Sequence, residues 1–130
     1  MAKSDFSFEV DWFDKFERYI RDMYQLERKI KPLFEKYGEL GRIALSEATP
    51  RRTGLTASSW IYSIELDSTH GVIKYENTNT NKGQNIAILI QYGHGTGTGG
   101  YVAGIDYINP ALTPIFNDLA NELWKEVTSV

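Results

Sequence analysis

Along the first third of the chain, apolar residues recur every seven positions in two rows. Phe16, Met23, Ile30, Tyr37 and Ala44 form one, and Trp12, Tyr19, Leu26, Leu33 and Leu40 form the other. Ile20 and Phe34 widen the stripe beyond a two-row seam, a width that suits a helix packed on its own domain along one flank and on something else along the other. The pattern predicts a helix from Asp11 to Ala48, with Asp11 as N-cap, Asp14 at the third helical position and Thr49-Pro50 as the stop. Pro32 falls inside the run, where it lacks a backbone donor and crowds the preceding turn. The rhythm keeps its phase across Pro32 and no turn cluster surrounds it, so one helix kinked there is expected rather than two helices and a loop. About 37 helical residues would span roughly 55 Å, against roughly 36 Å for a compact domain of this length. Such a helix overhangs its domain and predicts a homo-oligomer or a docked partner. A helical hairpin folded at Pro32 is the alternative.

Beyond Arg51-Arg52-Thr53-Gly54 the period changes. Ser59–Leu66 shows partial alternation with β-branched and aromatic residues and reads as a strand. His70-Gly71 reads as a turn, Gly71–Asn77 as the pairing strand and Asn77–Gly83 as a polar loop. The run Ile86–Ile90 fits a buried strand or one or two helical turns, since so short an apolar run carries no period. At the C-terminal end, Asn109 is the expected cap of a helix with Pro110 at its first position. Leu112, Phe116, Leu119, Leu123 and Val127 would line one face, and Pro114 would delay the regular helix by a turn. The sum is an α+β fold: a long N-terminal helix, a small antiparallel sheet and a closing helix, in one domain over residues 1–130.

Composition narrows the chemistry. A chain of 130 residues, 42% hydrophobic and 13% aromatic, supports one core. It has no cysteine, which excludes disulfides, thiolate metal sites and cysteine nucleophiles. The net charge of −3 gives no bulk attraction to nucleic acid, and the Lys and Arg crowded into the first half are matched there by acids. No apolar run approaches the roughly 20 residues of a membrane span, and Met1–Asp5 lacks the apolar segment of a signal peptide, so no membrane partner or export is expected.

The segment Gln91–Gly100 is the most suggestive in the chain. Gly95, Gly97 and Gly100 satisfy G-x-G-x-x-G, the spacing of a dinucleotide loop. No Lys-Ser or Lys-Thr follows, Tyr101–Ile105 is a poor helix start, and too little chain remains for a second βαβ unit. A mobile connector is the better reading, with His94 a surface or hydrogen-bonding histidine. Ser58 or Ser59 with His94 and Asp106 could form a hydrolase triad on paper, but no nucleophile-elbow glycines surround either serine. Arg51 and Arg52 suit phosphate contact or, given the balanced charge around them, interface salt bridges or plain solvation. Neither a reaction nor a cofactor is expected.

Three places in order then resemble the HK97 gp10-like family of tailed-phage virion proteins. After the long helix, Pro50, Thr53, Gly54 and Ser59 fit the family's proline, Thr-Gly and strand-opening serine, with Thr56 where leucine is usual. Tyr92, Gly93 and Thr96 match an aromatic-glycine-threonine element, with Gln91 in place of a common glutamate and His94-Gly95 lengthening it. Tyr107, Pro110 and Ala111 match an aromatic followed by Pro-Ala, with Asn109 where arginine is common. The resemblance spans nearly the whole chain and implies a tail-completion or neck subunit that assembles as a ring at the head-tail joint of the virion, without catalysis. It implies as partners other copies of the chain, a tail terminator or tube protein and a head-completion stopper, with genomic DNA passing through the lumen. On this reading Trp12, Phe16, Tyr19 and Met23 contribute subunit contacts. Arg51, Arg52, Tyr92, Gly93, His94, Thr96, Tyr101 and Tyr107 complete the expected interface. A minor capsid or tail-tube-associated protein, or a small ligand-binding module or enzyme using His94, are the alternatives.

Overall fold

A computed structural model describes residues 5–12, 25–50, 54–67 and 69–128. It is an α+β fold: a three-stranded antiparallel sheet carries two long helices on one face, and along the chain a short helix and two small hairpins come between the sheet and the closing helix.

The chain opens with a strand, β1 (Asp5–Asp11), where the helical reading has none. Phe6, Phe8 and Val10 alternate with exposed Ser7, Glu9 and Asp11, the period of two that half-buries a strand. Asp11 therefore ends a strand, paired with His70, and is not a helix cap. The remainder of that expectation, residues 13–24, lies outside the described residues. Strands β2 (Trp60–Leu66) and β3 (His70–Asn77) are the pair read from the sequence, and β3 sits between β1 and β2. Cross-strand rows Phe6–Tyr75–Tyr62 and Phe8–Ile73–Ile64 face the helices.

The turn between β2 and β3 lies ahead of His70-Gly71, both of which belong to β3. The Asp67 carboxylate accepts from the Thr69 N–H at 2.7 Å, the Thr69 hydroxyl at 2.8 Å and the His70 N–H at 2.9 Å. These bonds, the Thr69 N–H first, pull its pKa down from 3.8 to about 2. A carboxylate depressed by folding stabilises the fold above its unfolded pKa, and the contribution disappears as pH falls through the folded value. Thermal melts followed by circular dichroism should therefore show the wild-type midpoint dropping between about pH 4 and pH 2. Asp67→Asn, which keeps an acceptor but cannot titrate, should flatten that part of the curve. The same turn holds Trp12: its indole Nε1 donates to the Asp67 carbonyl at 2.9 Å and its N–H to the Thr69 carbonyl at 2.9 Å.

Helix α1 runs Leu26–Ala48. Its first stretch, Leu26–Ile30, is wound as a π-helix, and the α-helical part starts at Lys31. Pro32 sits in the first turn of that part. The π winding sends the Lys31 N–H to the Leu26 carbonyl, one residue further back than an α-helix would. An extra residue directly ahead of the proline is how a helix passes a position that can neither donate nor tolerate a close carbonyl. At about 1.5 Å per residue the described helix is roughly 34 Å long. The overhang expected from a start at Asp11 would rest on residues 13–24, which are not among the described ones.

Leu26, Ile30, Phe34, Tyr37 and Leu45 are its buried face. Gly38 and Gly41 continue that face, and there the helix backbone lies directly on the sheet: the Tyr75 hydroxyl, fully buried, donates to the Tyr37 and Gly38 carbonyls at 3.1 and 3.0 Å. The helix stops as read from the sequence. Thr49 turns extended, its hydroxyl donates to the Leu45 carbonyl at 2.5 Å, and it accepts the Trp60 indole at 2.8 Å.

The polar stretch after β3 is not a plain loop. It contains β4 (Thr80–Asn81), which pairs with β5 (Gln84–Asn85) around Lys82 and Gly83, both at positive φ. Asn85 then caps α2 (Ile86–Tyr92), which settles the ambiguous run Ile86–Ile90 as helix. The closing helix α3 (Ile108–Thr128) lies antiparallel to α1. The Tyr37 hydroxyl donates to Glu122 at 2.5 Å and Lys36 pairs with Glu122 at 3.2 Å. Burial and then the Glu122 bond raise the Tyr37 pKa to about 12, so the phenol stays a donor throughout the physiological range. Ile108, Leu112, Leu119 and Leu123 are buried, and Ile115 and Phe116 pack beside them.

Candidate functional site

Between α2 and α3 the glycine-rich segment forms a hairpin rather than an open connector. Strand β6 (Gly93–Gly95) pairs with β7 (Tyr101–Ala103), with His94 opposite Val102. The strand at Tyr101–Ala103 occupies the place where a phosphate loop would need its helix. At the tip the Thr96 hydroxyl accepts from the Gly100 N–H at 3.2 Å, and Gly97 and Gly99 take positive φ.

The root of the hairpin is built from residues whose roles are not local. Gly93 has φ +82°, and a Cβ there would lie 2.5 Å from the Val102 carbonyl oxygen. A Cβ on Gly104 would lie 2.5 Å from the Gln91 carbonyl oxygen. Without side chains at both positions, the returning strand can fold directly onto the end of α2. Gln91 is buried, and its Oε1 accepts from the Tyr107 and Ile108 N–H groups at 3.1 and 3.0 Å, satisfying donors at the start of α3. Its Nε2 donates to Asp106 at 2.7 Å, and Asp106 also accepts from Asn109 at 3.1 Å. The helix therefore begins at Ile108, one residue before the expected cap. Asn109 is its second residue and Pro110 its third, still within the turn where a missing N–H costs nothing.

What the hairpin presents is apolar. Tyr92 is 50%, Tyr101 67%, Val102 47% and Ile105 57% exposed, and the last three follow one another along the returning strand and its exit. Tyr101 is steadied by its hydroxyl bond to the Tyr92 carbonyl at 2.9 Å. No Asp, Glu, Lys or Arg occurs from Tyr92 to Ile105, in a chain of which 24% is charged. Exposed apolar residues gathered without charge in this way have the composition of a contact surface.

Of the residues expected to form the interface, Tyr92, Gly93, His94, Thr96 and Tyr101 come together in this hairpin. Two do not belong to any surface. Trp12 is 6% exposed, in the core against Phe34, and is not on the long helix. Tyr107 is also buried, its hydroxyl donating to the Ala87 carbonyl at 2.9 Å, with burial raising its pKa. Phe16, Tyr19, Met23, Arg51 and Arg52 lie outside the described residues. Val102 falls within the loop from Gly93 to Gly104 expected to contact an adjacent ring protein, Ile105 is the exposed member beyond it, and Gln91 is the positioning residue that the sequence shows only as a departure from glutamate.

The paper triad is not assembled: the Ser58 and Ser59 hydroxyls donate to the Leu55 carbonyl, and Asp106 is engaged by Gln91 and Asn109. His94 is partly buried, and its Nδ1 has no hydrogen-bond partner. Among the described residues no group of three or more His, Asp or Glu side chains could hold a metal ion, and no helix is long and apolar enough to cross a membrane. Compared with models of known protein families, with curated proteins and with solved structures, the chain matches none.

Proposed function

We propose that the chain is a structural subunit of the head-tail joint of a tailed phage, a tail-completion or neck protein that acts by assembling into a ring. The observation that carries this reading is the hairpin Gly93–Ala103: uncharged, apolar at its surface and anchored at both ends by Gln91. Two of the three motifs behind the family resemblance, Tyr92-Gly93 and Tyr107 with Pro110-Ala111, flank that hairpin. Their residues hold it: Gly93 allows the close return, and Tyr107 locks the start of α3 to α2. The partners on this reading are other copies of the chain, a tail terminator or tube protein on one side and a head-completion stopper on the other. Genomic DNA passes through the ring without specific binding.

Deleting the gene from the phage that carries it tests the proposal. Electron microscopy of the lysate should show filled heads and separate tails, with joined particles restored when the wild-type gene is supplied in trans. A Tyr101→Ser, Val102→Ser variant should restore them poorly. Joined, infectious particles in the absence of the gene would refute the proposal.

A further inference from the structure

Strand β7 is open on both faces and along one edge. Tyr101, Val102 and Ala103 are all exposed, and among the described residues β6 is the one strand beside it. The direction of its backbone groups follows from the ladder. The Thr96 N–H donates to the Gly100 carbonyl at 3.1 Å. Mutually bonded pairs alternate along an antiparallel ladder, so His94 with Val102 is the next bonded pair, and Tyr101 and Ala103 do not bond across to β6. Gly93, opposite Ala103, agrees with this: its N–H goes back to the Leu89 carbonyl of α2. The N–H and C=O groups of Tyr101 and Ala103 therefore point outward along the open edge.

We infer that this edge pairs with the same edge of a second copy of the chain, antiparallel, about a two-fold axis at Val102. In that register Tyr101 of each copy meets Ala103 of the other, and each such pair exchanges both backbone bonds. Val102 meets its own counterpart in a non-bonded pair, where side chains approach most closely. A two-fold contact must be self-complementary, so any charge near the axis would face its own copy. The stretch Tyr92–Ile105 holds no Asp, Glu, Lys or Arg to create that repulsion. It also lacks the charges and prolines that ordinarily keep exposed strand edges apart. A second copy thus fits this edge better than a charged partner strand does. The inference concerns the free chain and does not rest on the virion reading.

The absence of cysteine makes the test clean. Val102→Cys places a single thiol at the axis, where facing Cα atoms of a non-bonded pair are about 4.5 Å apart, within disulfide range. Under mild oxidation it should cross-link roughly tenfold or more faster than Thr98→Cys at the exposed hairpin tip, as expected for facing rather than colliding thiols. In sedimentation velocity the wild-type chain should show a concentration-dependent dimer. Val102→Lys and Val102→Glu should each weaken it about tenfold or more, and an equimolar mixture of the two should restore it. Val102 is half exposed, and unchanged circular dichroism would confirm that the variants fold. A wild-type chain that stays monomeric up to its solubility limit would overturn the inference. So would equal cross-linking of the Val102 and Thr98 variants, a dimer indifferent to charge at Val102, or an edge that takes up only a strand of another protein.

Discussion

Gly41→Ala should destabilise the fold by about 3 kcal/mol, although the same change at a solvent-facing helix position would gain about 1 kcal/mol. A Cβ on Gly41 would lie 2.6 Å from Cζ of Tyr75, which is rigid backing rather than a flexible chain end. Tyr75 cannot retreat, because it is fully buried between Tyr62 and Phe116 and its hydroxyl is tied to the Tyr37 and Gly38 carbonyls. Relief requires either lifting α1 off the sheet or breaking those bonds, and overpacking plus a lost buried hydrogen bond exceeds the gain in helix propensity. The loss should appear as a fall of about 10 °C in the melting midpoint for a domain of this size. Tyr75→Phe supplies the internal check. Alone it should cost about 1–2 kcal/mol. Combined with Gly41→Ala it should cost less than the sum, because the hydroxyl that the new methyl strikes is gone. Additive losses would show that α1 does not rest on Tyr75 in the manner described.

Gln91→Leu should cost about 3 kcal/mol, since it leaves the buried Tyr107 and Ile108 N–H groups without a partner at once and takes from the Asp106 carboxylate one of its two side-chain donors. The damage should be local first: hydrogen exchange at the start of α3 and in the hairpin should accelerate before the three-stranded sheet is affected. Gln91→Glu separates the two halves of the network. It keeps an acceptor for both N–H groups but sets a second carboxylate against Asp106, where the amide now donates at 2.7 Å. Two carboxyls that close cannot both ionise without cost, so one pKa rises. The penalty is present at neutral pH and is relieved as pH falls through that raised value. Gln91→Glu should therefore gain stability relative to wild type on going from pH 7 to pH 5 in chemical denaturation. A variant equally stable at both pH values would mean that Asp106 does not face Gln91.

The parts of this fold legible in the sequence are those whose burial follows a local period. The β2–β3 pair and the closing helix show their alternation and their helical stripe directly. Strand β1 shows its alternation too, in Phe6, Phe8 and Val10, but Trp12 also falls in phase with the helical row that follows. With Asp11 available as a cap, the helical period absorbed the strand's last residues. The π winding ahead of Pro32 leaves no trace in the pattern, because a heptad rhythm that holds phase cannot reveal which backbone bond carries the extra residue.

The candidate surface was harder still. Gly93-His94-Gly95 has little strand preference, and its pairing partner supplies only Tyr101-Val102-Ala103. What makes them a hairpin is the close return at Gly93 and Gly104 and the capping of α3 by a side chain from α2. Those contacts are non-local, and no periodicity encodes them. The same holds for Trp12 and Tyr107: their aromatic character suggested a contact surface, and only the fold shows the carbonyls that their polar atoms reach.

The lack of charge along the hairpin also sets the kinetics of whatever meets it. Long-range attraction accelerates encounter only between charged surfaces, and that acceleration is what salt removes. A contact made through Tyr101, Val102 and Ile105 forms at a pace governed by collision and orientation, and it holds as well in concentrated salt as in dilute buffer. Selectivity at such a surface comes from shape and from the spacing of backbone donors, so it is preserved across ionic conditions that would dissolve an electrostatic pairing.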